Sequence, residues 1–290
     1  MTTDLHLNGE VATAAASGNA ATERFANDKS AYAAVKDTPP ERVDLLARSV
    51  LDAIHETIRR EKVTYDEYNA LKAWLIQVGK DGEWPLFLDV WVEHVVEEVA
   101  TDHREGSKGT IEGPYYVPGA PEQGARGSVP TREGEEGTAL TWTGTVTSTD
   151  GTPLDGATIE LWHADNDGFY SQFAPGIPEW NLRGSFTVGP DGVFEIRTIQ
   201  PAPYQIPTDG ACGKLIAAAG WHAWRPAHLH VKVSAPGHEQ LTAQLYFPGD
   251  EHNDDDIASA VKPELVLDPR PQGDGAVAVD YGFVLDPARG

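Results

Sequence analysis

From about residue 105 the chain breaks into short alternating runs cut apart by turn residues. TALTWTGTVTST (138–149), ATIELW (157–162), GVFEIRT (192–198), AHLHVKVS (227–234), LTAQLYF (241–247) and AVAVDYGF (276–283) are the clearest of them. Asp150-Gly151, Asp155-Gly156 and Asp191-Gly192 separate several. A period of two places alternate side chains on one face of a strand, and Asp-Gly pairs favour tight turns. Short strands with glycine-rich turns predict a β-sandwich or barrel rather than an α/β sheet.

The first hundred residues have a different period. Thr38-Pro39-Pro40-Glu41 predicts an N-cap, an early proline and a capping-box glutamate, followed by Val43, Leu46, Val50, Ile54 and Ile58 at three- and four-residue steps. Thr64-Tyr65-Asp66-Glu67 repeats the capping pattern ahead of Tyr68, Leu71, Leu75 and Val78. A further helix is predicted to open near Trp84-Pro85, with Phe87, Leu88, Trp91, Val92, Val95 and Val99 facing inward. Such stripes are helix-packing faces before they are ligand grooves. The prediction is an α+β chain with a helical region over 1–105 and a strand-rich domain over 106–290. The Ala-rich start reads as frayed, and Asp254-Asp255-Asp256 reads as a solvated loop or helix start.

Composition excludes several classes. With 45 acidic against 22 basic side chains the formal net charge is −23, a poor match to nucleic acid or an anionic membrane. The single cysteine, Cys212, excludes an intrachain disulfide and Cys-rich zinc or iron–sulfur sites. The first twenty residues lack the basic start and apolar core of a secretion signal, and no run approaches the roughly 18 apolar residues of a membrane span. A soluble, cytoplasmic protein is expected.

The segment WRPAHLHVKVSAPGH (224–238) carries the chemistry. In a strand, His228, His230 and Lys232 share one face, opposite Ala227, Leu229, Val231 and Val233. Two imidazoles on one face can seat a metal ion. Taken alone, the pair reads more simply as the solvent side of a half-exposed strand. Tyr170 closes LWHADNDGFY, and Tyr204 sits in QPAPYQIPTDG, where prolines hold the backbone extended. Loop tyrosines are usually packing aromatics, so neither is specific alone.

Together these segments resemble the intradiol ring-cleaving dioxygenases, and most closely bacterial catechol 1,2-dioxygenases. The similarity runs through GTIEGPYYVPGAP (109–121), LWHADNDGFYSQF (161–173), PAPYQIPTDG (201–210), WRPAHLHVKVSAPGH and LTAQLYFPGD (241–250). It implies a helical dimerisation region, an antiparallel β-sandwich catalytic domain, and Fe(III) held by Tyr170, Tyr204, His228 and His230. It further implies that Tyr204 leaves the metal when substrate binds, with His230 trans to it, while Tyr170 and His228 stay. Arg225 matches a residue that stabilises charge developing on the ring, and Gln244 one that stands near the iron. Ile111, Pro114 and Tyr115 match positions lining the substrate pocket. The implied reaction takes catechol and dioxygen to cis,cis-muconate in a homodimer, with a lipid held at the helical region in some members.

The donor chemistry agrees with the resemblance. Two phenolates and two imidazoles make a hard, anionic set suited to Fe(III). A trivalent cation can hold tyrosine, with a free pKa of about 10, deprotonated at neutral pH. The nearest rival is hydroxyquinol cleavage, whose enzymes tend to read Val-Leu-Gly-Pro-Phe where this chain has Ile111-Glu112-Gly113-Pro114-Tyr115. Protocatechuate enzymes divide the work between two shorter chains. A rival of another class is a non-catalytic transthyretin-like module, which WTGTVTSTDGTPLDGATIELW also resembles; such a module would be colourless, an iron tyrosinate protein red. Of the remaining residues, His163 reads as a hydrogen-bonded structural histidine, and His222 and His238 as lying off the shared face. Trp221 and Trp224 read as core or pocket wall, and Cys212 as unreactive.

Overall fold

The computed structural model describes residues 38–289, so the opening Ala-rich stretch lies outside the described residues. Helix α1 (Pro40–Glu61) starts one residue later than its sequence signal implies. Its N-cap is Pro39, which has no side-chain acceptor, so Thr38 caps nothing. The apolar stripe of α1 is present but uncovered within one chain: none of its residues is buried, and Val50 is 59% exposed. Helix α2 (Tyr65–Lys80) has the predicted capping box, with Thr64 Oγ1 accepting from Glu67 N–H and the Glu67 carboxylate accepting from Thr64 N–H. It is tied to the rest of the chain by Val78, which is buried, and by Trp74 Nε1, which donates to the Ala211 carbonyl at 2.8 Å.

The third predicted helix is two. α3 (Trp84–Trp91) and α4 (Glu93–Thr101) meet at Val92, whose backbone (φ −127°, ψ −36°) leaves the helical region. The buried side chains of α3 are Pro85, Leu86 and Val90, whereas Leu88, Val92, Val95 and Val99 are exposed. Trp84-Pro-Leu-Phe-Leu-Asp-Val-Trp91 is apolar on nearly every side, so its period could not single out an inward face.

The strands, in chain order, are β1 (Arg126–Ser128), β2 (Ala139–Ser148), β3 (Thr158–Trp162), β4 (Arg183–Thr187), β5 (Val193–Ile199) and β6 (Tyr204–Gln205). After helix α5 (Ala211–Ala219) come β7 (Trp224–Arg225), β8 (His228–Ser234), β9 (Leu241–Tyr246), β10 (Arg270–Pro271), β11 (Val277–Asp280) and β12 (Phe283–Leu285). A six-stranded sheet has the order β1-β5-β2-β11-β10 with β12 also against β2, a four-stranded sheet has the order β4-β3-β8-β9, and β6 pairs with β7.

The expectation of antiparallel pairing holds throughout the four-stranded sheet but only in part for the other, where β2–β5 and β10–β11 are antiparallel. β1 runs parallel to β5, and both β11 and β12 run parallel to β2. Parallel partners are joined by long crossovers, so no hairpin signal announces them. The run AVAVDYGF is interrupted for a steric reason. At Tyr281-Gly282 the chain passes so close to β2 that a Cβ on Gly144 would overlap the Tyr281 carbonyl.

Side chains from both sheets form one core. Trp142, Phe194 and Phe283 from the six-stranded sheet cluster with Leu161, Phe186, Leu229, Val231 and Leu245 from the other. At roughly 25 cal/mol per Å² of apolar surface, this shared burial is the main term holding the domain together. No helix among the described residues is long and apolar enough to cross a membrane.

The capping box offers a direct check on the helical region. Thr64→Ala should cost about 1 kcal/mol of stability, because the Glu67 N–H loses its side-chain acceptor. A fall in thermal midpoint measured by circular dichroism is the expected result.

Candidate active site

β8 is buried on both faces. Leu229, Val231 and Val233 belong to the inter-sheet core, and the opposite face is covered too, leaving His228 2% and His230 0% exposed. The half-exposed strand of the simpler reading is therefore ruled out. Imidazoles in such a place need partners, since unpaired buried polar groups cost on the order of 1–3 kcal/mol each.

The partners at the centre of the site are the other imidazole and Tyr170. His228 Nε2 lies 3.0 Å from His230 Nε2, which lies 3.1 Å from the Tyr170 hydroxyl. The Tyr204 ring meets Tyr170 edge to face at 5.4 Å and lies 5.6 Å from the His228 ring. The four residues proposed as ligands thus converge from three parts of the chain. His228 Nδ1 sits 2.7 Å from the Pro226 carbonyl, which requires the proton on Nδ1 and turns the Nε2 lone pair into the cluster. His230 is stacked on Trp162 (4.9 Å between centroids, 12° between planes) and lies opposite Gln244 on β9.

Local chain geometry explains how the tyrosines arrive. After β3, the Asp165 carboxylate accepts from the Asp167 and Phe169 N–H groups and shapes the loop that carries Tyr170. Gly168 in that loop has φ +85°, and a Cβ there would come within 2.8 Å of Tyr204 Cβ. Only glycine lets the two tyrosine segments approach this closely. The Tyr170 ring lies flat on Tyr115 at 4.2 Å and 4°. Tyr204 is placed by the β6–β7 pair, directly across from Arg225.

Arg225 combines an ion pair with the site. Its Nε and one terminal nitrogen each donate to the Asp256 carboxylate at 2.9 Å, and that nitrogen also donates to Gln244 Oε1 at 2.8 Å. Its other terminal nitrogen is 3.4 Å from His228 Nε2. Asp256 is therefore no part of a solvated acidic patch: it is buried and also accepts from the Ala258 and Ala260 N–H groups. Gln244 is pinned on both sides, accepting from the Tyr246 hydroxyl and donating to the Ile111 carbonyl at 3.0 Å.

Charge states follow from burial. Desolvation, reinforced by Arg225, brings His228 down to about 3, and desolvation with His228 and Arg225 holds His230 well below the usual histidine range. Desolvation raises both Tyr170 and Tyr204, with Arg225 opposing it more for Tyr204 than for Tyr170. Burial works against the Arg225 charge, but Asp256 outweighs it; burial would raise the Asp256 carboxyl, but Arg225 holds it below the usual carboxylate range. The protein alone thus presents four neutral donors beside a self-neutralised ion pair.

A cavity of about 390 Å³ opens onto this cluster. Tyr115, Tyr170 and Tyr204 line it with Phe169, Phe173 and Pro207. Ile111 and Pro114 are not among its lining residues; Ile111 is buried and serves through its carbonyl, and Gly113 between them passes His230, where a Cβ would be 3.5 Å from the ring. Arg183, unmarked in the sequence, is 1% exposed and binds the Tyr115 carbonyl and both Ser171 oxygens, tying the two aromatic segments together.

The remaining readings divide. His163 is buried between the Ala164 carbonyl and Thr198 Oγ1, a structural histidine lowered to about 4 by burial. Cys212 is buried, and burial with the nearby Glu83 raises its thiol, which suits an unreactive role. His238 is half-buried and its Nδ1 lies 3.0 Å from the Pro236 carbonyl. Trp221 is 51% exposed, so it is not core; Trp224 is half-buried and stacks on His252.

Comparison with known proteins accords with this geometry. The family described as Dioxygenase matches residues 111–287, and the one described as Catechol dioxygenase N terminus matches 40–108. A chlorocatechol 1,2-dioxygenase of Rhodococcus opacus is 40% identical over 84% of this chain and 97% of its own length. A catechol 1,2-dioxygenase of Acinetobacter baylyi is 37% identical over 78% of this chain and 76% of its own. The crystal structure of 3-chlorocatechol 1,2-dioxygenase from Rhodococcus opacus 1CP superposes with a TM-score of 0.81 at 43% identity, covering 86% of this chain and all of that one.

The Arg225–Asp256 pair generates a stability prediction. Removing one partner of a buried pair leaves the other charge uncompensated and costs about 3–5 kcal/mol. Asp256→Asn keeps some of the hydrogen bonds, so a loss near 3 kcal/mol is expected in urea unfolding. An unchanged midpoint would show that Arg225 does not rely on Asp256.

Proposed function

Because this chain belongs to the intradiol ring-cleaving dioxygenases, iron-dependent enzymes of catechol-type substrates, we propose that it opens catechol and chlorinated catechols to cis,cis-muconate and its chloro derivatives. The observation that carries the reading is the convergence of Tyr170, Tyr204, His228 and His230 beside an aromatic-lined cavity.

These residues fit an iron ion. Two nitrogens each about 2.0–2.1 Å from one metal and at right angles to it would lie about 3 Å apart, and the two Nε2 atoms are 3.0 Å apart. Among the described residues no carboxylate is hydrogen-bonded to the four donors, and Asp256 is cancelled by Arg225, so the anionic charge a ferric ion needs would come from the phenols. Tyr170, Tyr204, His228 and His230 would hold the iron, which when bound draws electron density from the diol and makes the ring reactive toward dioxygen.

The chain's own groups divide the remaining tasks. Tyr204, across the β6–β7 pair from Arg225, is the phenol whose anion the guanidinium favours; held as the phenolate by a bound cation, its oxygen would take a proton from the substrate hydroxyl. Tyr170 lies under Tyr115 and against His230, and stays in place. Arg225 stabilises negative charge on the diol and on the ring as it is attacked. Gln244, held by Tyr246 and the Ile111 carbonyl, keeps the guanidinium in position. Tyr115, Phe173 and Trp162 exclude water from around the donors.

Selectivity follows from the cavity lining. Phe169, Phe173, Ala174, Pro175 and Pro207 suit an apolar ring or a chlorine, and the chlorocatechol relatives support tolerance of that substituent. Gln205 and Asp209 also line the cavity, which keeps hydroxyquinol as the second reading, and a relative named for that substrate exists. A carboxylated catechol would bury a charge against this lining without a basic partner, a costly step.

The same reading includes a sandwich catalytic domain and a homodimer, in which the uncovered stripe of Val43, Leu46, Val50 and Ile54 meets a second copy. A lipid would lie in the cavity of about 350 Å³ beside Tyr68, Leu71, Leu75 and Ile76 on α2.

Oxygen uptake with each substrate tests the assignment. We expect kcat/KM for catechol and 4-chlorocatechol to exceed that for hydroxyquinol and protocatechuate by at least about tenfold, the discrimination of roughly 1.4 kcal/mol that one mismatched polar group supplies. Faster turnover of hydroxyquinol would overturn the substrate class while leaving ring cleavage in place.

A further inference from the structure

Away from the tyrosine–histidine cluster, one other group of side chains among the described residues has the makings of a metal site. His222, His252 and Asp255 bring one ring nitrogen each and a carboxylate oxygen within 4.8 Å of one another. The Asp255 carboxylate bridges the two rings: one oxygen is 3.3 Å from His222 Nε2, and the other is 3.1 Å from His252 Nδ1. Ligands about 2.0–2.1 Å from a tetrahedral ion are separated by roughly 3.3 Å. Each ring is therefore already near that distance from one oxygen of the carboxylate, and a small turn of the Asp255 side chain with a shortened histidine–histidine distance would bring one oxygen to both.

Several features fix the ligands without closing the site. The imidazoles face one another at 5.3 Å and 32°, and the His252 ring is stacked on Trp224 at 5.3 Å and 8°. The Asp250 carboxylate accepts from the His252 N–H and so sets the start of this loop. Asp255 has a side chain 54% exposed, so an ion can enter from solvent, with water completing its shell. Two imidazoles and one carboxylate with an open position suit a borderline divalent cation of the zinc class better than calcium or magnesium, which prefer oxygen.

The cluster also borders the catalytic strand. His222 Nδ1 accepts from the Trp224 N–H at 3.1 Å, and the Trp224 carbonyl accepts from the Ile257 N–H at 3.3 Å. A ring giving its Nε2 lone pair to a metal carries its proton on Nδ1, so Trp224 would lose that acceptor. Trp224 precedes Arg225, and Asp255 precedes the Asp256 that holds Arg225. We propose that His222, His252 and Asp255 form a second metal site, for Zn²⁺ or a similar divalent ion, whose filling slows turnover by disturbing Arg225. The binding claim stands on the cluster alone; the kinetic effect rests on the ring-cleavage reading.

Calorimetric titration of the iron-loaded protein with Zn²⁺, paired with metal analysis, tests it. Wild type should take up one zinc per chain at micromolar concentration while keeping its iron. Loss of an outer-shell contact alone weakens metal sites by about 10–100-fold, so Asp255→Asn and His252→Gln should each weaken zinc binding by at least about tenfold. No zinc uptake by wild type, or undiminished uptake by either variant, overturns the site. Zn²⁺ near the wild-type dissociation constant should lower the turnover of wild type measurably and that of Asp255→Asn much less. Equal inhibition of both, with binding confirmed, would overturn only the coupling to Arg225.

Discussion

The buried ion pair between Arg225 and Asp256 is the constraint on which the site depends. A guanidinium 2% exposed cannot stay charged in an apolar interior without a partner, and Asp256 supplies two parallel hydrogen bonds from one side. That leaves the rest of the guanidinium for His228, Gln244 and Tyr204. The pair also anchors the two-residue strand β7 to the 256–260 loop, and β7 in turn holds β6 and therefore Tyr204. One interaction thus sets the charge, position and backbone context of the site.

Around this pair the protein assembles donors that are neutral on their own. Burial drives the histidines toward the free base and the tyrosines toward the phenol, so neither supplies charge before a cation arrives. The asymmetry between the tyrosines is built into their surroundings. Tyr170 is clamped between Tyr115 and His230, on a loop shaped by Asp165 and joined through Ser171 to Arg183. Tyr204 sits on a two-residue strand whose neighbour is the arginine. The proposed division into a permanent ligand and a proton acceptor rests on these two settings.

Much of this was legible in the residues. Alternation and Asp-Gly turns located the long strands to within one or two positions, because the period of two survives wherever one face meets a core. The capping box at Thr64 was readable because its partners are three residues apart. Strand β4, Arg-Gly-Ser-Phe-Thr, and helix α5, which opens Ala-Cys-Gly, were not legible: each is short, contains glycine, and is held by tertiary packing rather than propensity. Asp256 was hidden for another reason. It ends a run of three aspartates, and local sequence cannot distinguish the one that turns inward to an arginine 31 residues away. Arg183 and the Tyr115–Tyr170 stack were likewise invisible, since each joins segments distant in the chain. The histidine pair was legible only as a possibility, until burial of both faces of β8 removed the solvent-exposed alternative.

Tyr170, Tyr204, His228 and His230 are proposed to hold a ferric ion. Visible absorption of the iron-loaded protein, with iron content measured in parallel, tests it most directly through Tyr170→Phe, Tyr204→Phe and the double variant. The account predicts one iron per chain in wild type and a tyrosinate-to-iron band that weakens in each single variant and disappears in the double. Anaerobic catechol should remove most of the band that remains in Tyr170→Phe and leave that of Tyr204→Phe. A wild-type protein that binds iron without such a band, or a double variant that keeps it, would contradict the account.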